Sequence, residues 1–465
     1  MMMQCEKNVL LFIMAFLVFG TVAHGQEGDD CTGSPALVAV NPFPISGPIE
    51  VATDGIFAIW WDATFDHASD TSTIFDRLAT VRDDALNVLG MRDPPNLEDC
   101  VYYNVYIHHG PDDEFPEWWA NGQGTDENGR PYLTLPDGVH LEEPNTYHEG
   151  FHIFQYNSDA PGFESEDSYW FIETSAQWYM ATKIPNDDNA FIEAGAVIAN
   201  PQLALWHSFD NGAPGDSEGW YYQVRQYGMH TLLFYLTEFR EIERGILVNG
   251  FYGDNPLSPQ EYLYTQIGPD NLRRLFADWA AENAAGMTYL TPGQYERAME
   301  EADAIGEPEH FNPYVADISA SDLDGGWTWQ PCAELSCLRP RGWSYNVIRI
   351  ANDKSGDFVF ELDGDPTGSE GAASHFEARI VIMEPNGPRI ETMSMANARD
   401  GEHLVIVDSN VSEIFVVIAS VPGHFTGNQT YGYQLRASFF DSVPPAVFQD
   451  GFESGTTSNW SVSNS

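Results

Sequence analysis

Six residues, Tyr147-His148-Glu149-Gly150-Phe151-His152, restrict what this chain can become more than any other stretch. They hold the pattern HExxH inside a segment that reads as a helix. On a helix, positions i and i+4 lie on one face. His148 and His152 can therefore aim their imidazoles at one point, and Glu149 can face the same space. Zinc takes imidazole nitrogen readily, and catalytic zinc sites use three protein ligands and leave a further position open. An adjacent Glu then acts as general base. The competing reading is a pair of partly buried helix histidines beside a solvated Glu. The rest of the chain has to decide.

A histidine pair needs a third ligand. Glu173 lies 21 residues beyond His152, within Trp170-Phe171-Ile172-Glu173-Thr174-Ser175-Ala176-Gln177-Trp178. Two antiparallel helices joined by a broken loop can set a Glu of the second against the histidines of the first. A lone Glu on a helix is usually solvated. This one is flanked by Trp170, Phe171, Ile172, Ala176 and Trp178, and an acid in so apolar a helix needs a partner. Zinc would be that partner.

On these residues, Tyr147 to Gln155 and the Trp-x-x-Glu-x-x-Ala segment at 170–176, the chain resembles the gluzincin zinc metallopeptidases of the MA-like group. The resemblance covers roughly residues 50–285, through a strand–helix–strand lead-in at 56–107, a short strand at 132–135 and a later helix with Tyr227-Gly228. It implies an α+β zincin-like catalytic domain, with His148, His152 and Glu173 as zinc ligands. It further implies peptide-bond hydrolysis by a zinc-bound water, with Glu149 as base and proton shuttle. The tetrahedral oxyanion needs a donor besides zinc: Tyr227, by its place in the third helix, or His230 as the alternative. Ordinary core packing is the other reading of Tyr227. One position departs from the family, whose members commonly carry an acid four residues after the Glu ligand. Here it is Gln177, whose amide oxygen can accept an imidazole N–H without charge.

Charge and length narrow the partners. With 465 residues, the chain exceeds a single core. The 70 Asp and Glu against 20 Lys and Arg leave a net charge of −50, which argues against nucleic acid or an anionic membrane surface. The first 25 residues read as a signal peptide: Lys7, then the apolar run Val9 to Phe19, then Ala23-His24-Gly25, with cleavage after Gly25. No later stretch approaches the roughly 20 apolar residues of a membrane span. A secreted protein acting on protein or peptide is expected, with a monomer favoured. Cys5 leaves with the signal, and the four remaining cysteines read as two disulfides. Of three connectivities, Cys31–Cys100 and Cys332–Cys337 are favoured.

Along the chain, a lead-in at 26–45 precedes the catalytic domain at 46–305. Strands are expected at 56–61 and 101–107, and helices at Thr71–Leu89, from an Asn145 cap to about Tyr156, at Tyr169–Thr182 and at about Trp220–Phe239. Arg130 to Pro136 has a proline near each end, which suits an edge strand able to take up an extended peptide. Ser258-Pro259 and Thr291-Pro292 read as N-cap plus first-turn proline. After a linker at 306–315, short alternating runs over 316–443 predict an all-β sandwich, followed by a tail at 444–465.

Weaker signals point elsewhere. Asp363-Gly364-Asp365 and Asp322-Leu323-Asp324-Gly325 have a composition suited to structural Ca2+ but lack the closing Glu, so surface turns are favoured. His108-His109 reads as a strand end. A non-catalytic binding protein on a zincin-like scaffold is the alternative function, though such a protein has no need of Glu149. A glycan-directed enzyme using the acidic, aromatic stretch 112–119 ranks third.

Overall fold

The computed structural model describes residues 48–94, 96–97, 100–109, 122–125, 130–155, 166–208, 224–249, 256–305, 313–332 and 338–441. The expected signal peptide, lead-in and tail, the stretch 112–119, most of the linker, Cys31 and Cys337 lie outside them. Cys100 and Cys332 are each disulfide-bonded. Among the described residues no helix is long and apolar enough to cross a membrane. The chain divides into two compact units, neither continuous in sequence. One comprises Met1–Gly162, Ser175–Pro185 and Ile242–Leu257; the other Phe163–Thr174, Asn186–Glu241 and Ser258–Ser465.

The first unit is built on a five-stranded sheet of order β1-β2-β3-β5-β4. β1 (Ile49–Thr53) and β2 (Phe57–Asp62) form a hairpin. Asp54 Oδ1 accepts from the N–H groups of Ile56 and Phe57 at 2.8 and 2.7 Å, and Gly55 takes the positive φ that the turn requires. β3 (Tyr103–His108) and β5 (Pro131–Pro136) run parallel to β2, and β4 (Gly122–Thr125) closes the sheet antiparallel to β5. Parallel strands are covered on both faces, and every residue of β3 is buried. The expectation of an edge strand at 132–135 is corrected: β3 lies on one side of β5 and β4 on the other. The prolines occupy the first and last positions of the strand, where little of the ladder is interrupted.

Helix α1 (Thr71–Asp83) buries Ile74, Leu78 and Val81, continues as a π turn over Asp84–Val88, and is stopped by Gly90 at positive φ. α2 (Glu143–Gln155) packs across α1 at Gly150, where a Cβ would lie 2.9 Å from Leu78 Cδ2. The glycine of the HExxH segment is thus the point at which the two helices approach. α2 starts before the expected cap: Asn145 stands in its first turn and donates to the Val139 carbonyl at 3.2 Å. α3 (Trp170–Lys183) is one unbroken helix, although the division between units passes between Thr174 and Ser175. Its Tyr179 stacks on Phe151 of α2 at 4.7 Å and donates to Asp84 Oδ2 at 2.8 Å. Burial, and then that carboxylate, push the Tyr179 phenol well above its usual range. One tyrosine thereby ties the end of α1, α2 and α3 together.

In the second unit, the helix expected over 220–239 is broken. Residues 220–223 lie outside the described chain, and the remainder is Arg225–Gly228, His230–Phe234 and a π turn at Tyr235–Phe239. Gly228 meets the Glu193 carbonyl so closely that a Cβ would sit 2.4 Å away, so only glycine fits. The Ser258 hydroxyl caps the helix Pro259–Ile267. Thr291 and Gln294 cap the helix Pro292–Ile305 reciprocally.

Two further five-stranded sheets follow, made from β6 (Ala316–Ser319), β7 (Trp327–Trp329), β8 (Ser344–Ala351), β9 (Gly356–Gly364), β10 (Phe376–Glu384), β11 (Gly387–Thr392), β12 (Ser394–Met395), β13 (Gly401–Val407), β14 (Glu413–Ser420) and β15 (Tyr433–Asp441). Their orders are β11-β10-β14-β8-β6 and β12-β13-β9-β15-β7. Ile348, Ile380 and Val416 of one meet Phe360, Val405 and Leu435 of the other in a shared core. The helix Pro269–Ala284 covers the outer face of the first, over β10 and β14. Phe276 and Trp279 of that helix meet Trp343 and Tyr345 edge-on at 5.5 and 5.7 Å.

Candidate metal centre

Because α2 is helical through the HExxH segment, His148 and His152 share a face, and their Nε2 atoms lie 3.2 Å apart. The ring planes stand at 77°, so both nitrogens face a common space. Each ring is oriented from its other nitrogen. His148 Nδ1–H donates to Gln177 Oε1 at 2.8 Å, and His152 Nδ1–H donates to Gln155 Oε1. A proton on Nδ1 leaves the Nε2 lone pair available, which is how side chains behind a metal-binding histidine select its tautomer. The Gln155 amide is itself held, donating through Nε2 to Ser175 Oγ at 2.8 Å.

Glu173 stands one turn before Gln177 on α3. A carboxylate oxygen of Glu173 and one nitrogen from each of His148 and His152 lie within 4.8 Å of one another. His152 is fully buried, His148 and Glu173 half-buried. Two imidazole nitrogens and a carboxylate oxygen form a donor set of catalytic zinc, one that other first-row divalent ions also accept. Glu149, beside His148 on α2, is buried.

His230 is fully buried; its Nδ1–H donates to the Tyr227 carbonyl at 2.7 Å and its ring stacks on Phe191 at 5.0 Å. Tyr227 is half-buried in the short helix Arg225–Gly228. The Thr174 hydroxyl donates to the Gln226 carbonyl, joining that helix to α3. His230 belongs to neither group of converging metal-type donors among the described residues. The two aspartate turns are likewise outside those groups. Asp322 closes a capping box with Ser319, and Asp324 pairs with Lys354 at 2.6 Å.

Sequence reasoning reached Gln177 but missed Gln155 and Ser175. An amide three residues after His152, directly following Ile153-Phe154, was the available signal. Because Gln177 already occupies the acceptor position behind His148, Gln177→Glu is expected to leave His148, His152 and Glu173 able to take up added zinc. A charged acceptor strengthens the ligand, and such partners are worth roughly ten- to a hundredfold in affinity. Metal analysis of the purified variant checks this; a folded, zinc-free Gln177→Glu protein contradicts the geometry.

No family model and no curated protein matches this chain. Among solved structures, it matches the M60 catalytic domain with the CBM51-1 and CBM51-2 domains of ZmpB from Clostridium perfringens. That match has 7% identity and a TM-score of 0.24, over 84% of this chain and 60% of that one. It also matches a family GH115 4-O-methyl-α-glucuronidase with specificity for decorated arabinogalactans, at 10% identity and a TM-score of 0.15, over 73% of this chain and 55% of that one. The chain thus spans less than two thirds of either structure, and at such TM-scores neither likeness bears on its fold or function.

Proposed function

We propose that the protein is an exported zinc-dependent peptidase whose ion is held by His148, His152 and Glu173. The observation that carries this reading is the convergence of those three donors, with both histidine Nδ1 atoms already engaged by amide oxygens. Bound zinc supplies Lewis acidity, lowering the pKa of a water to about 7 and polarising a carbonyl.

The chain's own residues do the rest. Glu149 takes a proton from the attacking water and returns it to the leaving amine, the shuttle that makes a poor leaving group expellable. Its burial keeps that proton from bulk solvent. Tyr227 is favoured over His230 as donor to the developing oxyanion, since Tyr227 is only half-buried as a residue whereas His230 is enclosed against Phe191. An extended peptide has a natural seat along β4: α2 packs against this strand, and among the described residues no strand pairs with its outer edge.

Purified protein should contain zinc, cleave casein or a peptide library, and lose all cleavage on chelation, with recovery on adding zinc. Protein without zinc sinks this reading. Zinc without cleavage sinks the peptidase and leaves the non-catalytic binding protein.

A further inference from the structure

The carboxyl ends of the three parallel strands carry a second set of donors, sharing no residue with the first. His67 lies five residues past β2, His109 directly follows β3, and Asp137 directly follows β5 with His140 closing the turn. Ligands of open sheets gather outside strand carboxyl ends. His67 and His140 are each only 5% exposed. Both give a ring N–H to one oxygen of Asp70: His67 Nδ1 at 3.2 Å and His140 Nε2 at 3.0 Å from Asp70 Oδ2.

That carboxylate selects the tautomer of both rings, leaving lone pairs on His67 Nε2 and His140 Nδ1. These two nitrogens are buried and have no hydrogen-bond partner among the described residues. They face Asp137 Oδ1 at 3.8 and 3.6 Å, beyond hydrogen-bond reach. Two ligands each about 2.0–2.1 Å from a tetrahedral ion stand roughly 3.3 Å apart. The spacing is therefore nearer to that of ligands around an ion than to a hydrogen bond. Asp137 Oδ2 is turned the other way and accepts from His109 Nδ1 at 3.2 Å. Buried lone pairs without a donor are costly, and histidines backed by a carboxylate are the arrangement metal sites use.

The geometry points to a second metal site, in which His67 Nε2, His140 Nδ1 and Asp137 Oδ1 hold one divalent transition-metal ion of the zinc class. Asp70 positions both imidazoles and His109 positions Asp137. The ion ties the β2–α1 connection to the turn after β5, segments about 70 residues apart. α2 begins at Glu143, three residues past His140, so this clasp also anchors the entry to the HExxH helix.

The test counts metal in purified, folded, full-length protein and measures Zn2+ affinity against a chromophoric chelator. His67→Asn and Asp137→Asn should each lower the Zn2+ bound per chain by one, or weaken one equivalent by at least about tenfold. Asp137 is exposed, so its replacement leaves the core intact. In a His148→Asn/His152→Asn background one equivalent should persist, with a rise in thermal midpoint on adding Zn2+. Both should disappear when Asp137→Asn is added. Unchanged stoichiometry and affinity in folded His67→Asn and Asp137→Asn proteins overturns the proposal. So does a folded His148→Asn/His152→Asn protein that binds no Zn2+.

Discussion

In the proposed zinc peptidase, Glu149→Gln is expected to lower the rate of peptide cleavage by about two to four orders of magnitude, with zinc content at the wild-type value. The amide matches the carboxylate in size and sits in the same buried place on α2, so packing is preserved. It cannot take a proton from water. The interaction removed belongs to the transition state, so kcat should fall while KM stays close to its original value. Metal retention is expected because His148, His152 and Glu173 keep their positions, braced by Gln177, Gln155 and Ser175. The frame under the helix is also untouched: Gly150 still meets Leu78, and Phe151 still stacks on Tyr179. Paired rate and metal measurements decide it. A zinc-replete variant that cleaves at the wild-type rate removes Glu149 from the mechanism.

Arg379→Ala is expected to cost about 3 kcal/mol of stability, the lower end of the range for removing one partner of a buried ion pair. Arg379 on β10 is fully buried. Its Nε donates to Asp278 at 2.8 Å, Nη1 donates to Glu377 at 3.1 Å and the Ala378 carbonyl at 2.9 Å, and Nη2 donates to the Arg274 carbonyl at 3.3 Å. It thereby fastens the helix Pro269–Ala284 to the sheet beneath it. The truncation removes the guanidinium from between the Asp278 and Glu377 carboxylates and opens a cavity, while the Ala378 carbonyl keeps the Met393 N–H at 3.1 Å. Asp278 keeps Arg274 at 3.0 Å, which moderates the loss. Denaturant unfolding measures the change, and Arg379→Met separates charge from packing by keeping the stem. A loss below about 1 kcal/mol for the alanine variant contradicts this account.

How far such features could be read beforehand depends on their range along the chain. The donor face of α2 was legible because a helix repeats every 3.6 residues: His148 and His152 at i and i+4 have one spatial meaning wherever the helix lies. The caps at Ser258 and Thr291, and the Asp-Gly turn before β2, are equally local. β14 carried an overlooked signal. Ile414-Phe415-Val416-Val417-Ile418 does not alternate, and an unbroken apolar run marks a strand covered on both faces. Here the sandwich core lies on one side and the helix Pro269–Ala284 on the other. β9 alternates cleanly between buried and more exposed positions, as a strand of an outer sheet does.

Local periodicity does not record which distant segments become neighbours. Nothing in Pro131 to Pro136 says that Gly122–Thr125 will take the outer place in the sheet. Nothing in the apolar face after Arg225 says that Gly228 must press against the Glu193 carbonyl. The junction of α3 with the rest is similar, since its halves fall in different units although the helix is continuous. The widest gap lies at the strand ends, where His67, Asp70, Asp137 and His140 are scattered through unrelated loops. His109 reads from sequence as no more than a strand terminus. Parallel pairing of β2, β3 and β5 lines up their carboxyl ends and brings those side chains within reach. The HExxH donors follow from the geometry of one helix, whereas the second cluster exists only because a sheet aligns segments about 70 residues apart.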